Sequence, residues 1–144
     1  MTLDDGGIGR IKARLAAIPD AIKEGVQPTL IKQAEAMAAT MRRFAPDDPA
    51  TNAPDLKSSI EITPAGRQTP AYSQPGGSMT VPENAVAITV GNSDVRYPHL
   101  LEFGTTKMNA QPFFWPSVRL HNKKAKAAIK RAVGRSVKKN WGSP

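Results

Sequence analysis

The chain of 144 residues contains no cysteine, which excludes a disulfide-stapled scaffold and a zinc site built on Cys ligands. It has no long apolar run, so we expect no membrane span, and its start, MTLDDGG, does not have the pattern of a signal peptide. Its length predicts a single domain over residues 1–144. Because hydrophobic content is only 40% and Pro residues number 13, a partner or a ring of copies would help to bury the apolar surface.

Acidic residues are missing from the last part of the chain, since none follows Glu102. Residues 1–102 hold 10 Lys and Arg against 12 Asp and Glu, a balance of −2. Residues 103–144 hold the other 10 Lys and Arg and no acid, a balance of +10. Such asymmetry predicts an anionic partner surface, either nucleic acid or the acidic face of another protein.

Apolar residues at helical spacing predict two N-terminal helices. The first stripe consists of Ile8, Ile11, Leu15, Ile18 and Ile22. Pro19 would break or kink this helix. The second stripe consists of Leu30, Ala34, Met37, Met41 and Phe44. We predict a longer helix from about residue 27 to about residue 44, with Pro28 in its first turn and Pro46 past its end; one kinked helix is the alternative.

Three strands and a long loop are predicted in the middle of the chain. Leu56–Thr63 and Ala85–Gly91 have the apolar content of strands, and the bulky run Tyr97–Phe103 predicts a third. Residues 64–84 are rich in Pro and Gly, which predicts a long loop or a hairpin with a mobile tip that could reach a neighbouring copy. The resulting fold class is α+β, a small antiparallel or mixed sheet packed by N-terminal helices and a long basic C-terminal helix.

The C-terminal helix is predicted from about residue 113 to about residue 139, with Pro112 in its first turn and Asn109 as its cap. Its packed face is predicted to hold Ala125, Ile129, Val133, Val137 and Trp141. The other faces carry the basic residues Lys123, Lys124, Lys126, Lys130, Arg131, Arg135, Lys138 and Lys139. This basic face is solvated, docks on an acidic rim of a neighbouring ring, or meets DNA phosphates. Of these three we favour protein docking.

The richest stretch of large apolar groups runs from Tyr97 to Ser117 and reads YPHLLEFGTTKMNAQPFFWPS. Gly104 follows a bulky run directly, which predicts a backbone angle that other residues avoid or a close approach of another chain. Three adjacent aromatic residues cannot all face one side of a helix, so at least one of Phe113, Phe114 and Trp115 should point away from the core. This geometry favours a protein interface over a platform for base stacking.

A family resemblance rests on the same stretch. Leu101-Glu102-Phe103-Gly104-Thr105, followed by Ala110-Gln111-Pro112-Phe113-Phe114 and Pro116-Ser117, resembles the hallmark of a tail-component family of tailed-phage morphogenesis proteins. That family is typified by the tenth gene product of a lambdoid siphophage. Upstream segments resemble it too: Ala45-Pro46-Asp47, Leu56-Lys57-Ser58-Ser59-Ile60 and the strand AITVG at 87–91.

The resemblance implies a structural role in a virion. A tail-completion or head–tail joining protein would form a ring of six or twelve copies around the DNA path. Its partners would be the portal, adaptor or stopper proteins, the tail terminator or tail tube, and non-specifically the DNA in transit, with no membrane. Its location would be the neck or tail of a virion assembled in the bacterial cytoplasm. The rigid interface motif would consist of Leu101, Glu102, Phe103, Gly104, Thr105, Pro112, Phe113, Phe114, Trp115 and Pro116.

Catalytic and cofactor sites are not predicted. A catalytic Glu102 would need a titratable partner, and only His99 is near in sequence. We expect Glu102 to cap a turn or to bond backbone N–H groups near Gly104. No metal-ligand spacing, phosphate loop or nucleophile elbow is present, so we predict no enzyme activity, metal or cofactor. The strongest alternative is a nucleic-acid-binding module that uses the basic helix; a hydrolase that uses His99 and Glu102 is a third class.

Overall fold

A computed structural model of the chain describes residues 20–46 and 56–140. Within these residues the elements are helix α1 at Asp20–Phe44, a 3-10 helix at Lys57–Ser59, strand β1 at Glu61–Thr63, strand β2 at Ala87–Thr89, helix α2 at Pro98–Phe103 and helix α3 at Phe114–Asn140. The fold is α+β, as the sequence predicts. None of these helices combines the length and the hydropathy that crossing a membrane requires.

Helices α1 and α3 pack against each other in antiparallel directions. Near one end of the pair, the hydroxyl of Ser136 donates a hydrogen bond to the carbonyl of Ile22 at 3.3 Å. Near the other, Thr40 Oγ1 and His121 Nε2 lie 2.6 Å apart. The two helices approach each other closely at Gly25. A Cβ placed on this residue would lie only 2.7 Å from Ser136 Oγ. Small side chains line this contact and let the two backbones approach.

Helix α1 starts earlier than the sequence predicts. Pro28 lies inside the helix rather than in its first turn, and the helix extends upstream of it to Asp20. An internal Pro costs about 3 kcal/mol, but burial of Ile22 and Val26 upstream of it stabilises by about 1.5–3 kcal/mol each. Packing therefore outweighs the loss. The end of the helix at Phe44, before Pro46, agrees with the prediction. The stripe Ile8–Ile18 and Pro19 lie outside the described residues.

The hydrophobic core lies where the end of α1, the start of α3 and the strands meet. Its buried members are Ala38, Met41, Ala45, Leu56, Ile60, Val90, Val95, Phe113 and Phe114. Phe44, predicted on the packed stripe, is exposed instead, and the buried face of α1 has Ala38 at its centre. Phe44 follows Ala38 by six residues, which places it about 120° around the helix from the centre of the buried face.

The packed face of α3 also differs from the prediction. Ala125 is buried as expected, but Val133 is exposed and its neighbour Ala132 is buried together with Ser136. The predicted face followed the largest aliphatic side chains, whereas the short distance to α1 selects small ones. Trp141 lies outside the described residues.

The sheet is a single antiparallel pair of short strands within the described residues. Ile62 of β1 lies opposite Ile88 of β2, and both pack against the core. The two strands are shorter than the predicted Leu56–Thr63 and Ala85–Gly91, because residues 57–59 form a 3-10 turn and the chain turns at Gly91. Buried Ser59 fixes that turn: its hydroxyl donates to the Leu56 carbonyl at 2.6 Å and accepts the Gly91 N–H at 3.1 Å.

Residues 64–84 fold back as an irregular hairpin rather than an open loop. Gln68 and Thr80 form an antiparallel bridge, and Val81 is buried between the hairpin and the rest of the domain. Further along, Gln74 and Val90 exchange two backbone hydrogen bonds of 2.8 and 3.0 Å. A single bridge therefore joins the hairpin to the residue that follows β2.

The predicted third strand at Tyr97–Phe103 is wrong: this segment is helix α2. Pro98 occupies the first turn, where its missing N–H costs nothing, and its side chain is fully buried. Tyr97, Leu100 and Phe103 recur every three residues on the exposed side, which is helical spacing. Bulky composition alone suits either element, so the spacing and the proline decide it.

Candidate functional site

The candidate site is the joint between α2 and the N-terminus of α3, and Glu102 is at its centre. The Glu102 side chain is 8% exposed, on the inner face of α2. Its Oε2 accepts hydrogen bonds from the backbone N–H groups of Phe113 at 2.9 Å and Phe114 at 3.0 Å. Its Oε1 accepts a third from the N–H of Trp115 at 3.0 Å. One carboxylate thus ties α2 to the start of α3.

The hydrogen-bonding needs of the helix start are fully met by this arrangement. The first four N–H groups of an α-helix have no partner within the helix. Here the four positions are Phe113, Phe114, Trp115 and Pro116; the first three donate to Glu102, and the proline has no N–H to donate. The negative carboxylate also lies at the positive end of the helix dipole, which is favourable.

This geometry refines the sequence prediction for Glu102. The expected role, bonding to backbone N–H groups, is what the structure shows, but the partners are not near Gly104. They lie 11 to 13 residues along the chain. Glu102 replaces Asn109, which was predicted as the cap, because Asn109 is exposed and lies upstream of the helix start.

The connection between the two helices depends on Gly104. This residue has φ 77° and ψ 176°, a conformation that only glycine adopts readily. A Cβ at this position would lie 2.8 Å from the backbone nitrogen of Ala110. Backbone hydrogen bonds from Gly104 to Leu100 (2.8 Å) and from Gln111 to Leu101 (2.7 Å) close the loop onto α2. The predicted backbone angle is therefore confirmed, and the segment that approaches the glycine closely is residues 108–110 of the same chain.

An apolar groove of about 270 Å³ lies over this joint, and we call it the aromatic groove. Its walls come from α2, the start of α3, the residue after β2 and the hairpin. The lining residues are Gln74, Pro75, Val90, Pro98, His99, Glu102, Phe103, Phe113, Phe114 and Trp115. Phe103 stands at its edge with 73% of its surface exposed, and Trp115 is 40% exposed. The aromatic groove thus combines an open apolar hollow with a projecting ring.

The three adjacent aromatic residues divide as the sequence predicts. Phe113 and Phe114 are buried in the core, while Trp115 faces outward and meets Phe114 edge to face at 5.0 Å between ring centroids. The other motif residues occupy supporting positions. Leu101 packs against the core, and Thr105 and Pro112 are exposed.

Sequence reasoning missed three residues at or beside this surface. Tyr97 and Leu100 are exposed near Phe103, and Pro75 reaches the groove from the hairpin. The spacing of three residues between Tyr97, Leu100 and Phe103 was the available signal, but a strand interpretation hides it. No local signal in the sequence places the hairpin beside α2.

His99 and Glu102, the pair considered for a hydrolase, both line the aromatic groove. Both carboxylate oxygens of Glu102 are engaged by backbone N–H groups. A proton transfer by this carboxylate would therefore compete with the hydrogen bonds that hold the helix start. Among the described residues, no three His, Asp or Glu side chains are grouped closely enough to hold a metal ion.

The predicted basic face of α3 is exposed along its whole length and divides into two parts. Lys124, Arg131 and Arg135 line a cleft against α1. The remaining five are exposed but do not line that cleft: Lys123, Lys126, Lys130, Lys138 and Lys139. The cleft also contains Lys32 of α1, which the sequence analysis did not single out.

Comparisons with family models, curated proteins and solved structures find no match to this chain.

Proposed function

We propose that this chain is a structural protein of the neck or tail of a tailed bacteriophage, acting in tail completion or head–tail joining. It would form a ring between the head connector and the tail tube and act by fitting surfaces together. The sequence resemblance described above suggests this role. The groove residues Glu102, Phe103, Phe113 and Phe114 belong to the same motif, so the motif and the exposed apolar surface coincide in the structure.

The observation that carries the proposal is the exposure of Phe103 and Trp115 on a rigid support. Burying a Phe side chain contributes about 1.5–3 kcal/mol, and exposed aromatic residues dominate the energy of many protein interfaces. The three hydrogen bonds of Glu102 fix the backbone that carries both side chains before any partner arrives. A surface that is already ordered loses little entropy when it docks.

A second copy of this chain is the partner that the surface suits best. The exposed side chain of Phe103 projects beside the open aromatic groove. Each copy therefore offers both a projecting side chain, or knob, and a hollow, or hole. Contacts of a knob on one copy with a hole on the next are heterologous, and heterologous contacts close into rings when the rotation permits. Portal and tail proteins would then dock on the assembled ring.

The proposal is tested by analytical ultracentrifugation of the purified chain over a range of concentrations. We expect the wild type to form closed oligomers and Phe103→Ser to weaken association on the order of tenfold or more. Met79→Ser is the matched control, because Met79 is also a large exposed apolar residue but lies in the hairpin outside the groove. Equal association of the two variants, or a wild type that stays monomeric at every concentration, would contradict the proposal.

A nucleic-acid-binding module is the second candidate function, and the cationic surface of α3 is the observation in its favour. A gel shift at two salt concentrations separates the two candidates. Tight binding with a steep salt dependence, in a chain that does not self-associate, supports the module. Self-association that survives loss of the basic residues supports the ring.

A further inference from the structure

A second concave surface lies between α1 and α3, and we call it the cationic cleft. Its volume is about 390 Å³, and it shares no lining residue with the aromatic groove. Lys32 contributes from α1, and Lys124, Arg131 and Arg135 contribute from α3. No Asp or Glu of residues 20–46 and 56–140 lines it.

The charges of the cationic cleft are not neutralised by the protein where the structure describes it. The ion pair found in residues 20–46 and 56–140 joins Lys23 to Glu83, and neither residue lines the cleft. All four cations are exposed, so their ammonium and guanidinium groups remain free to meet a ligand. Four like charges around one hollow repel each other, and an anion in the hollow would relieve that repulsion.

The arrangement of the cations suits an extended anion rather than a single small ion. Lys124, Arg131 and Arg135 occupy positions i, i+7 and i+11 of α3, so they form one row along the helix. At 1.5 Å per residue the row spans about 16 Å. One strand of a duplex carries a phosphate about every 3.4 Å along the axis, so about five phosphates would lie along the row.

The neutral lining favours a phosphodiester chain over an acidic protein segment. The apolar residues of the cleft are Ala36 and Ala128, which offer no anchor of the kind that protein interfaces use. Thr29 and Gln33 add neutral hydrogen-bond donors, which commonly contact phosphate oxygens. Among the described residues no Phe, Tyr or Trp lines the cleft, and the ring of His121 is hydrogen-bonded to Thr40 Oγ1 at 2.6 Å, so the lining favours contact with the backbone over base stacking.

We propose that the cationic cleft binds the sugar–phosphate backbone of a nucleic acid without reading its sequence. Arg131 and Arg135 contact phosphates from one wall and Lys32 from the other. The inference does not depend on the proposed ring, since it uses none of the residues of the aromatic groove. In a ring around DNA the same cleft would touch the DNA in transit.

Fluorescence anisotropy with a labelled DNA duplex of arbitrary sequence tests the site. The cleft variant is Arg131→Gln/Arg135→Gln, and the matched control is Lys126→Gln/Lys130→Gln, which removes two charges from the same helix outside the cleft. Each phosphate contact contributes about 0.9 to the slope of log affinity against log salt. We expect the cleft variant to lose about 1.8 from this slope, and the control to keep a slope close to that of the wild type.

Between 50 and 200 mM salt, a slope difference of that size changes the ratio of wild-type to cleft-variant affinity on the order of tenfold. Lys32→Gln, on the other helix, should lower the slope by about half as much. Circular dichroism of every variant checks that the helices are retained. Ultracentrifugation of the cleft variant should show association like that of the wild type, which separates this site from the ring.

Three results would overturn the inference. One is equal loss of affinity in the cleft variant and in the control, which would show that only the overall charge of α3 matters. Another is the absence of duplex binding by the wild type at 50 mM salt. The third is displacement of the duplex by polyglutamate of equal total charge as readily as by unlabelled duplex, which would assign the cleft to an acidic protein partner instead.

Discussion

Replacing Glu102 by Gln should lower the free energy of unfolding by more than substitution of an exposed surface residue would. The single amide oxygen of Gln cannot accept all three N–H groups that the two carboxylate oxygens accept now. Leaving one buried N–H without an acceptor costs about 1–3 kcal/mol, and losing the negative charge at the helix N-terminus costs up to about 2 kcal/mol in a partly buried setting. Together these two effects predict destabilisation of about 1–5 kcal/mol.

Urea denaturation followed by circular dichroism measures this change. The midpoint should fall while the slope of free energy against urea stays the same, since the surface exposed on unfolding is unchanged. Glu61→Gln is the matched control, because Glu61 is exposed on β1, and it should alter the free energy of unfolding by less than about 0.5 kcal/mol. If Glu102→Gln were as stable as this control, the three hydrogen bonds would not be what holds the start of α3.

Three further substitutions test other parts of the fold by the same denaturation measurement. Gly104→Ala should cost more than about 2 kcal/mol, since positive φ strain of about 1–3 kcal/mol adds to a backbone clash at 2.8 Å; a neutral result would show that the loop can move. Ser59→Ala should cost about 1–3 kcal/mol by leaving the buried N–H of Gly91 without its acceptor, and an unchanged midpoint would contradict this. Glu83→Gln should change stability by less than about 0.5 kcal/mol, because its ion pair with Lys23 is exposed; a loss above about 1 kcal/mol would refute that estimate.

The long helices were the most predictable part of the fold. The end of α1 follows from apolar residues spaced by three and four and from Pro46 just past it, and the C-terminal helix follows from apolar residues spaced by four. The residues that each helix buries were less predictable. Val133 is exposed and Ala132 is buried, because helix α1 lies close to α3 at this point. Sequence periodicity reports apolar positions but not the distance to the neighbouring element, and that distance selects small residues.

The sequence predicts that Glu102 accepts hydrogen bonds from backbone N–H groups, but it does not predict which N–H groups these are. An acid between two large apolar residues suggests a bonded, buried carboxylate, yet its partners are fixed by how α2 and α3 meet. The packing of α2 against the start of α3 depends on the conformation of Gly104 and on the helical conformation of residues 98–103. A strand was predicted for this segment instead. The cationic cleft was hidden for a similar reason, since Lys32 and Arg131 lie far apart in the chain and come together only when α1 and α3 pack.

The proposed place of the chain in a virion is tested most directly by quantitative mass spectrometry of purified phage particles from a genome that encodes it. If the chain forms a ring, every particle should contain it at a fixed number of copies, six or twelve. Chemical cross-linking should then join residues near Phe103 of one copy to a second copy. Purified, infectious particles that contain none of the chain would contradict the proposal.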